Sequence, residues 1–304
     1  MNLAHLHLLL NHVPTIGFGF GIGLLAASLV RHSEDLKRAS YVVFFGVALV
    51  AIPAYLSGNA AEFILKSERE LPEDVVTAHQ NAAMLALIPM EIAGLIGWLA
   101  LRRIRRWHQP AVLLLSIAAF LLMARAANIG GQIRHPEILA AGSPAYAPLW
   151  PSPARMGAAF VLDNPWVWPI CEVLHFVGLC LLFGVMLLVN LRMVGFITGV
   201  ALADVNRLLP WAMVGLGINI ITGMLFFLAA PEQYTQNAAF VWKMGLVVLG
   251  GLSLLYPAMF DQEHASTSDV LHAPLTRKVV AACSLAIWVG VIFFGRFLPY
   301  LGME

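Results

Sequence analysis

The sequence predicts an all-α integral membrane protein with about eight transmembrane helices, on three observations. First, 60% of its 304 residues are hydrophobic and only 12% are charged. A soluble domain runs at roughly 45–50% apolar and about 25% charged. Second, the apolar residues form long blocks, as at 41–51, 111–123, 179–189 and 279–294. Blocks that approach about 20 residues with few charges read as spans of a lipid bilayer. Third, charged or proline-bearing turns separate these blocks. The composition excludes a soluble enzyme and a disordered chain. A formal net charge of +1 supplies no basic patch for nucleic acid or anionic lipid.

The elements follow in order. Span one covers 5–30 and stops at the charged turn 31–38. Spans two and three cover 39–57 and 77–101, and the basic turn 102–110 ends in Pro110 before span four, 110–127. Spans five and six cover 166–190 and 209–229. The polar stretch 231–237 precedes span seven, 238–259, and the polar loop 261–274 precedes span eight, 277–298. The segment 128–165, with its cluster of prolines and glycines, reads as a long outer loop. It divides the chain into an N-terminal four-helix half, 1–127, and a C-terminal four-helix half, 166–304. The halves share no convincing sequence repeat. Residues 1–10 lack a basic leader region, so they read as the start of the first helix and not as a signal peptide.

Arginine and lysine asymmetry orients the spans. Alternate turns near 31–38, 102–108, 191–208 and 260–278 hold 11 of the 18 basic residues, including Arg102, Arg103, Arg105 and Arg106. That side is expected to face the cytoplasm of a bacterial inner membrane, with both termini and the 128–165 loop outside.

Ten histidines stand out in so apolar a chain. His32, His108, His264 and His272 fall in cytoplasmic turns and read as solvated loop residues. His5, His7, His12, His79, His135 and His175 fall in the outer part of the membrane or at its outer edge. An ionisable residue inside a span is costly and marks a functional site. Two histidines on facing helices suit the axial positions of a b-type heme. His12 and His79 are the expected pair, against the competing reading of buried neutral histidines hydrogen-bonded to a neighbouring helix, with Gly19 and Gly23 within about 20° of His12 on the helical wheel as a track on which a flat ring could lie. The competing reading of those glycines is a helix-packing face. His7 lies about 140° round the helix from His12 and reads as a reserve ligand or interface residue. His175 has Glu172 one turn earlier and is a further ligand candidate. His135 is another, in an outer loop where Arg134 could meet a heme propionate.

Other chemistry is thinly supported. The chain has no C-x-x-C-H for a covalent heme, and no G-x-S-x-G, H-E-x-x-H or P-loop pattern. Cys171, Cys180 and Cys283 lie in apolar segments without metal-ligand spacing. Glu91, deep in span three, is a candidate proton relay or quinone-binding group, or a protonated acid bonded across the bundle. Lys243 reads as a snorkelling residue and Asn219 as interhelical glue. Trp150, Trp166 and Trp168 fit an outer aromatic belt.

The run His7-Leu-Leu-Leu-Asn-His12-Val-Pro14, with Leu56-Ser57-Gly58, Ala78-His79-Gln80 and Gly130-Gly131-Gln132, resembles the four-helix membrane family catalogued as domain of unknown function 2231. Leu8 stands where that family's opening motif has proline. The stretches Leu174-His175-Phe176-Val177-Gly178, Phe183-Gly184, Leu191-Arg192, Leu209-Pro210-Trp211, Ile221-Thr222-Gly223 and Phe240-Val241-Trp242-Lys243 resemble the family catalogued as domain of unknown function 6644. The two resemblances span most of the chain and imply a membrane b-type cytochrome or electron-transfer module.

The functional expectation is therefore a membrane cytochrome with one or two b hemes near the outer face. It would carry electrons between the quinone pool and a c-type cytochrome or larger redox complex outside. The rival readings are a copper or other metal transporter, and a non-catalytic anchor subunit of a respiratory complex.

Overall fold

The computed structural model describes residues 3–68, 73–134, 152–197, 199–260 and 275–300. The protein is an all-α membrane protein, with no strand among the described residues. Among the described residues, eight helical segments are long and apolar enough to cross a bilayer. The chain divides into two compact units, 1–156 and 157–304.

Unit 1 opens with α1 (Leu3–Leu10) and α2 (His12–Arg31), which together make one span. Pro14 lacks the N–H that would reach the Leu10 carbonyl, and the helix breaks at Asn11. There follow α3 (Glu34–Glu68), α4 (Glu73–Arg102) and α5 (His108–Arg134). The principal packings run α2 on α3, α3 on α4, α4 on α5 and α5 on α2, closing a four-helix ring. Its core holds Phe18, Leu25, Tyr41, Phe44, Met90 and Trp98. Exposed Ile16, Phe20, Leu114 and Leu121 supply the apolar outer surface that lipid requires. Small residues set the spacing: a Cβ at Gly94 would lie 3.3 Å from the Phe44 carbonyl oxygen in α3.

The chain continues through α6 (Pro153–Leu162), α7 (Val167–Val194), α8 (Leu202–Asn206), α9 (Leu209–Ala229), α10 (Pro231–Thr235), α11 (Ala238–Ser253), α12 (Leu255–Phe260) and α13 (Leu275–Phe297). In unit 2 the principal packings form a row, α9 on α7, α7 on α13 and α13 on α11. Here α7 and α9 touch backbone to backbone, since a Cβ at Gly215 would lie 2.6 Å from the Gly178 carbonyl oxygen. Between α7, α13 and α11 runs a hydroxyl–amide chain. Asn190 Nδ2 donates to Ser284 Oγ at 3.3 Å, and Ser284 Oγ lies 2.9 Å from Ser253 Oγ.

Three expectations are corrected. The segment 128–165 is not one non-helical loop, because 128–134 complete α5 and 153–162 form α6; residues 135–151 lie outside the described residues. Span two is much longer than 39–57. At 35 residues and 1.5 Å per residue, α3 is about 52 Å long, against a hydrocarbon core of about 30 Å. Its polar last turns carry Glu62 and Lys66, paired at 2.9 Å. His108 is not solvated: it is 3% exposed, and its Nδ1 accepts the Arg105 N–H at 3.3 Å.

Candidate functional site

The site in unit 1 is built from the last turn of α1, the second half of α3, the first turns of α4 and the second half of α5, toward one end of the ring. His7 Nδ1 lies 3.0 Å from the Ala54 carbonyl oxygen and 3.3 Å from Ser57 Oγ, both in α3. His79 Nδ1 lies 2.8 Å from the Ala126 carbonyl oxygen in α5. A carbonyl can only accept, so each Nδ1 carries the proton and donates it. Each Nε2 is then left with its lone pair. This is the orientation in which an imidazole serves as a metal ligand, with its other nitrogen held by the protein.

A glycine permits each approach. Gly58 follows Ala54 by one helical turn, and a Cβ there would lie 3.3 Å from His7 Cε1. Gly130 follows Ala126 in the same way, and a Cβ there would lie 2.8 Å from His79 Cε1. The separation from histidine to anchoring carbonyl is 47 residues in both cases. Unit 1 thus uses one device twice, an imidazole laid on an Ala-x-x-x-Gly turn of a neighbouring helix. The two half-buried imidazoles lie within electrostatic reach of each other. Val75 and Ala82 of α4 pack on Ala126 and Ile129 of α5 beside His79, which keeps that part of the site dry. At the same end Gln80 Nε2 donates to Asn59 Oδ1 at 2.9 Å and to Glu62.

The expected pairing of His12 with His79 is corrected. The His12 side chain is exposed, whereas His7 turns into the ring on the opposite side of the same span. The glycine track does not lie under the site either. Gly19 faces Phe120 of α5, with a Cβ position 3.1 Å from its ring, and Gly23 meets nothing within 4 Å. Helix packing accounts for Gly17 and Gly21, which face Val47 and Phe44. Arg134 closes α5, while its side chain and the whole of His135 lie outside the described residues. Glu91 Oε1 is buried without a hydrogen-bond partner among the described residues. It sits about 18 Å along α4 from His79, too far to belong to the same site.

In unit 2, His175 is the one histidine among the described residues. Its Nδ1 lies 2.7 Å from Thr222 Oγ1 in α9, again at a separation of 47 residues. The Thr222 hydroxyl gives its hydrogen to the Ile218 carbonyl at 2.7 Å, so it accepts from Nδ1 and leaves His175 Nε2 with its lone pair. Phe226 lies one turn on, its ring centroid 5.8 Å from that of His175. The charged neighbour is Lys243 at the start of α11. Beyond the spans, burial and the Glu172 carboxylate push the Tyr234 phenol above its usual range, so it stays protonated at neutral pH.

Sequence reading did not find the anchors Ala54, Ser57, Ala126 and Thr222. The readable signal was the Ala-x-x-x-Gly spacing in spans two and four, which gains its meaning only beside a histidine of another helix. Among the described residues no three His, Cys, Asp or Glu side chains gather closely enough to hold a metal ion.

Fold and site together define a polytopic all-α membrane protein with carbonyl-anchored imidazoles inside its first helical ring. Comparison with family models, curated proteins and solved structures finds no match to this chain.

Proposed function

We propose that this protein is a membrane-embedded b-type cytochrome that carries electrons between the quinone pool and a redox partner outside the membrane. One observation carries the reading: His7 and His79 each commit Nδ1 to a backbone carbonyl of a neighbouring helix with Nε2 left free, and they lie within electrostatic reach of each other. Two such imidazoles are the donor set of a six-coordinate b heme. The cradle supports it, since Gly58 and Gly130 remove the side chains that would push the imidazoles aside. Bound there, a heme would supply a one-electron iron couple. The protein's own part is to fix both imidazoles by their carbonyl bonds, keep water out with the Val75–Ala126 packing, and offer polar groups at Gln80 and Asn59 for the propionate end. Basic-residue asymmetry assigns this end of unit 1 to the outer face, which suits delivery to a c-type cytochrome or larger complex.

The test is a pyridine-hemochrome spectrum of the purified protein expressed with ample heme. A b-type spectrum is expected, lost in His7→Ala and His79→Ala and kept in His12→Ala. A heme-free wild-type protein overturns the reading. Copper found by metal analysis in its place would instead favour a transporter.

A further inference from the structure

Unit 2 gathers groups at one end that the heme of unit 1 leaves unused. His175 stands near the start of α7, Thr222 and Phe226 near the end of α9, Lys243 near the start of α11, and Gly295 near the end of α13. The Lys243 ammonium leans over Gly295, where a Cβ would lie 3.6 Å from both Cε and Nζ. Its residue is part-buried, and it has no hydrogen bond or ion pair among the described residues. An unpaired ammonium on a membrane-spanning helix is costly and favours an oxygen acceptor at this place. His175 lies within electrostatic reach and offers a lone pair at Nε2. Asn219 Oδ1, one turn before Thr222, is a buried acceptor with no partner among the described residues. The wall is aromatic, with Trp168 and Phe226 centroids 4.9 Å apart.

A cationic donor, two acceptors and a flat aromatic wall, all inside membrane-spanning helices, select a ligand by chemistry. It must reach the site through lipid, present a planar ring, and carry oxygens that accept in one state and donate in the other. We infer that the end of unit 2 formed by His175, Thr222, Phe226 and Lys243 binds a quinone headgroup. Lys243 Nζ donates to a carbonyl oxygen of the quinone, and His175 Nε2 accepts from a hydroxyl of the quinol. This reading removes His175 from the heme ligands and gives the quinone of the proposed cytochrome its place. Binding itself is independent of whether heme is present.

The experiment uses the full chain in nanodiscs of phosphatidylcholine, which carries no net charge to compete for Lys243. A short-tailed benzoquinone and a short-tailed naphthoquinone are titrated separately, with quenching of tryptophan fluorescence as the readout. Saturable binding of at least one is expected. A hydrogen bond to a charged group is worth about 1.5–3 kcal/mol. Lys243→Met is therefore expected to weaken quinone Kd by about ten-fold or more and Phe226→Leu to weaken it less, while His175→Asn is expected to weaken binding of the same compounds titrated in their reduced, quinol form. Lys278→Met, a charge deletion elsewhere, keeps wild-type affinity. Melting temperature on the same samples separates lost binding from lost fold, and three independent variants guard against one misfolding. Binding by neither quinone, or affinity unchanged in both Lys243→Met and His175→Asn, overturns the inference. Binding of phosphatidylglycerol that Lys243→Met abolishes and quinone does not displace also overturns it and assigns the ammonium to a lipid phosphate. Heme is read spectroscopically in parallel. Heme without quinone binding removes this inference alone, and quinone binding without heme removes the cytochrome reading alone.

Discussion

Gly130 and Gly131 are adjacent glycines in one turn of α5, and the structure gives them opposite tolerances. A Cβ at Gly130 would lie 2.8 Å from His79 Cε1, whereas one at Gly131 meets nothing within 4 Å. Gly130→Ala must therefore displace the imidazole from the Ala126 carbonyl, and Gly131→Ala need displace nothing. The expected outcome is loss of bound heme or a changed b-type spectrum in Gly130→Ala, with a wild-type spectrum in Gly131→Ala. Equal heme content and identical spectra in both would separate His79 from the cofactor. Such contrasts lie beyond composition, because both residues are glycine in the same apolar segment. What distinguishes them is which face of α5 meets α4.

At the scale of the element, the spans are held by small residues and short polar links, since lipid gives apolar faces no drive to associate. Gly215 meets the backbone of α7 directly. Gly215→Ala is expected to part α7 from α9 and cost about 1–3 kcal/mol, as overpacking does. Gly217→Ala, which meets nothing within 4 Å, is expected to be neutral; unfolding of the detergent-solubilised variants compares the two. Ser284→Ala removes the link from Asn190 to Ser253. Interhelical hydrogen bonds in membranes average about 0.6 kcal/mol, so a loss near that size per bond is expected in the same assay. The number of spans was legible because hydropathy is a property of each segment alone. The true length of α3 was not, because Asn59, Glu62 and Lys66 look like loop residues until Gln80 and Glu73 are placed beside them.

For the whole molecule the testable claim is sidedness. In a chain whose native cysteines are replaced, Glu232→Cys in α10 is expected to react with a membrane-impermeant maleimide from outside intact cells. Arg103→Cys, in the basic turn after α4, is expected to react only after the membrane is opened. Reaction of Arg103→Cys in intact cells would reverse the orientation and put the His7–His79 end of unit 1 in the cytoplasm. The division at 156/157 falls within the expected connection 128–165, whose edges shift because α5 runs on to Arg134 and α6 begins at Pro153. Prolines and glycines marked a connection, and the backbone hydrogen bonds of 128–134 and 153–162 moved its edges.

By itself the sequence determined that this protein lives in a membrane, that it crosses it as about eight helices, and that a few histidines violate the composition around them. Those properties are local, summed from the transfer energies of side chains along one segment. Only the tertiary structure decided that His7 and His79 each bond a backbone carbonyl of a neighbouring helix while the His12 side chain is exposed, and that His175 bonds Thr222. The rotation of a helix about its own axis is set by the neighbours it packs against. His7 and His12 stand on either side of the break at Asn11, and the closeness of Gly58 to the His7 ring settles which of them points inward.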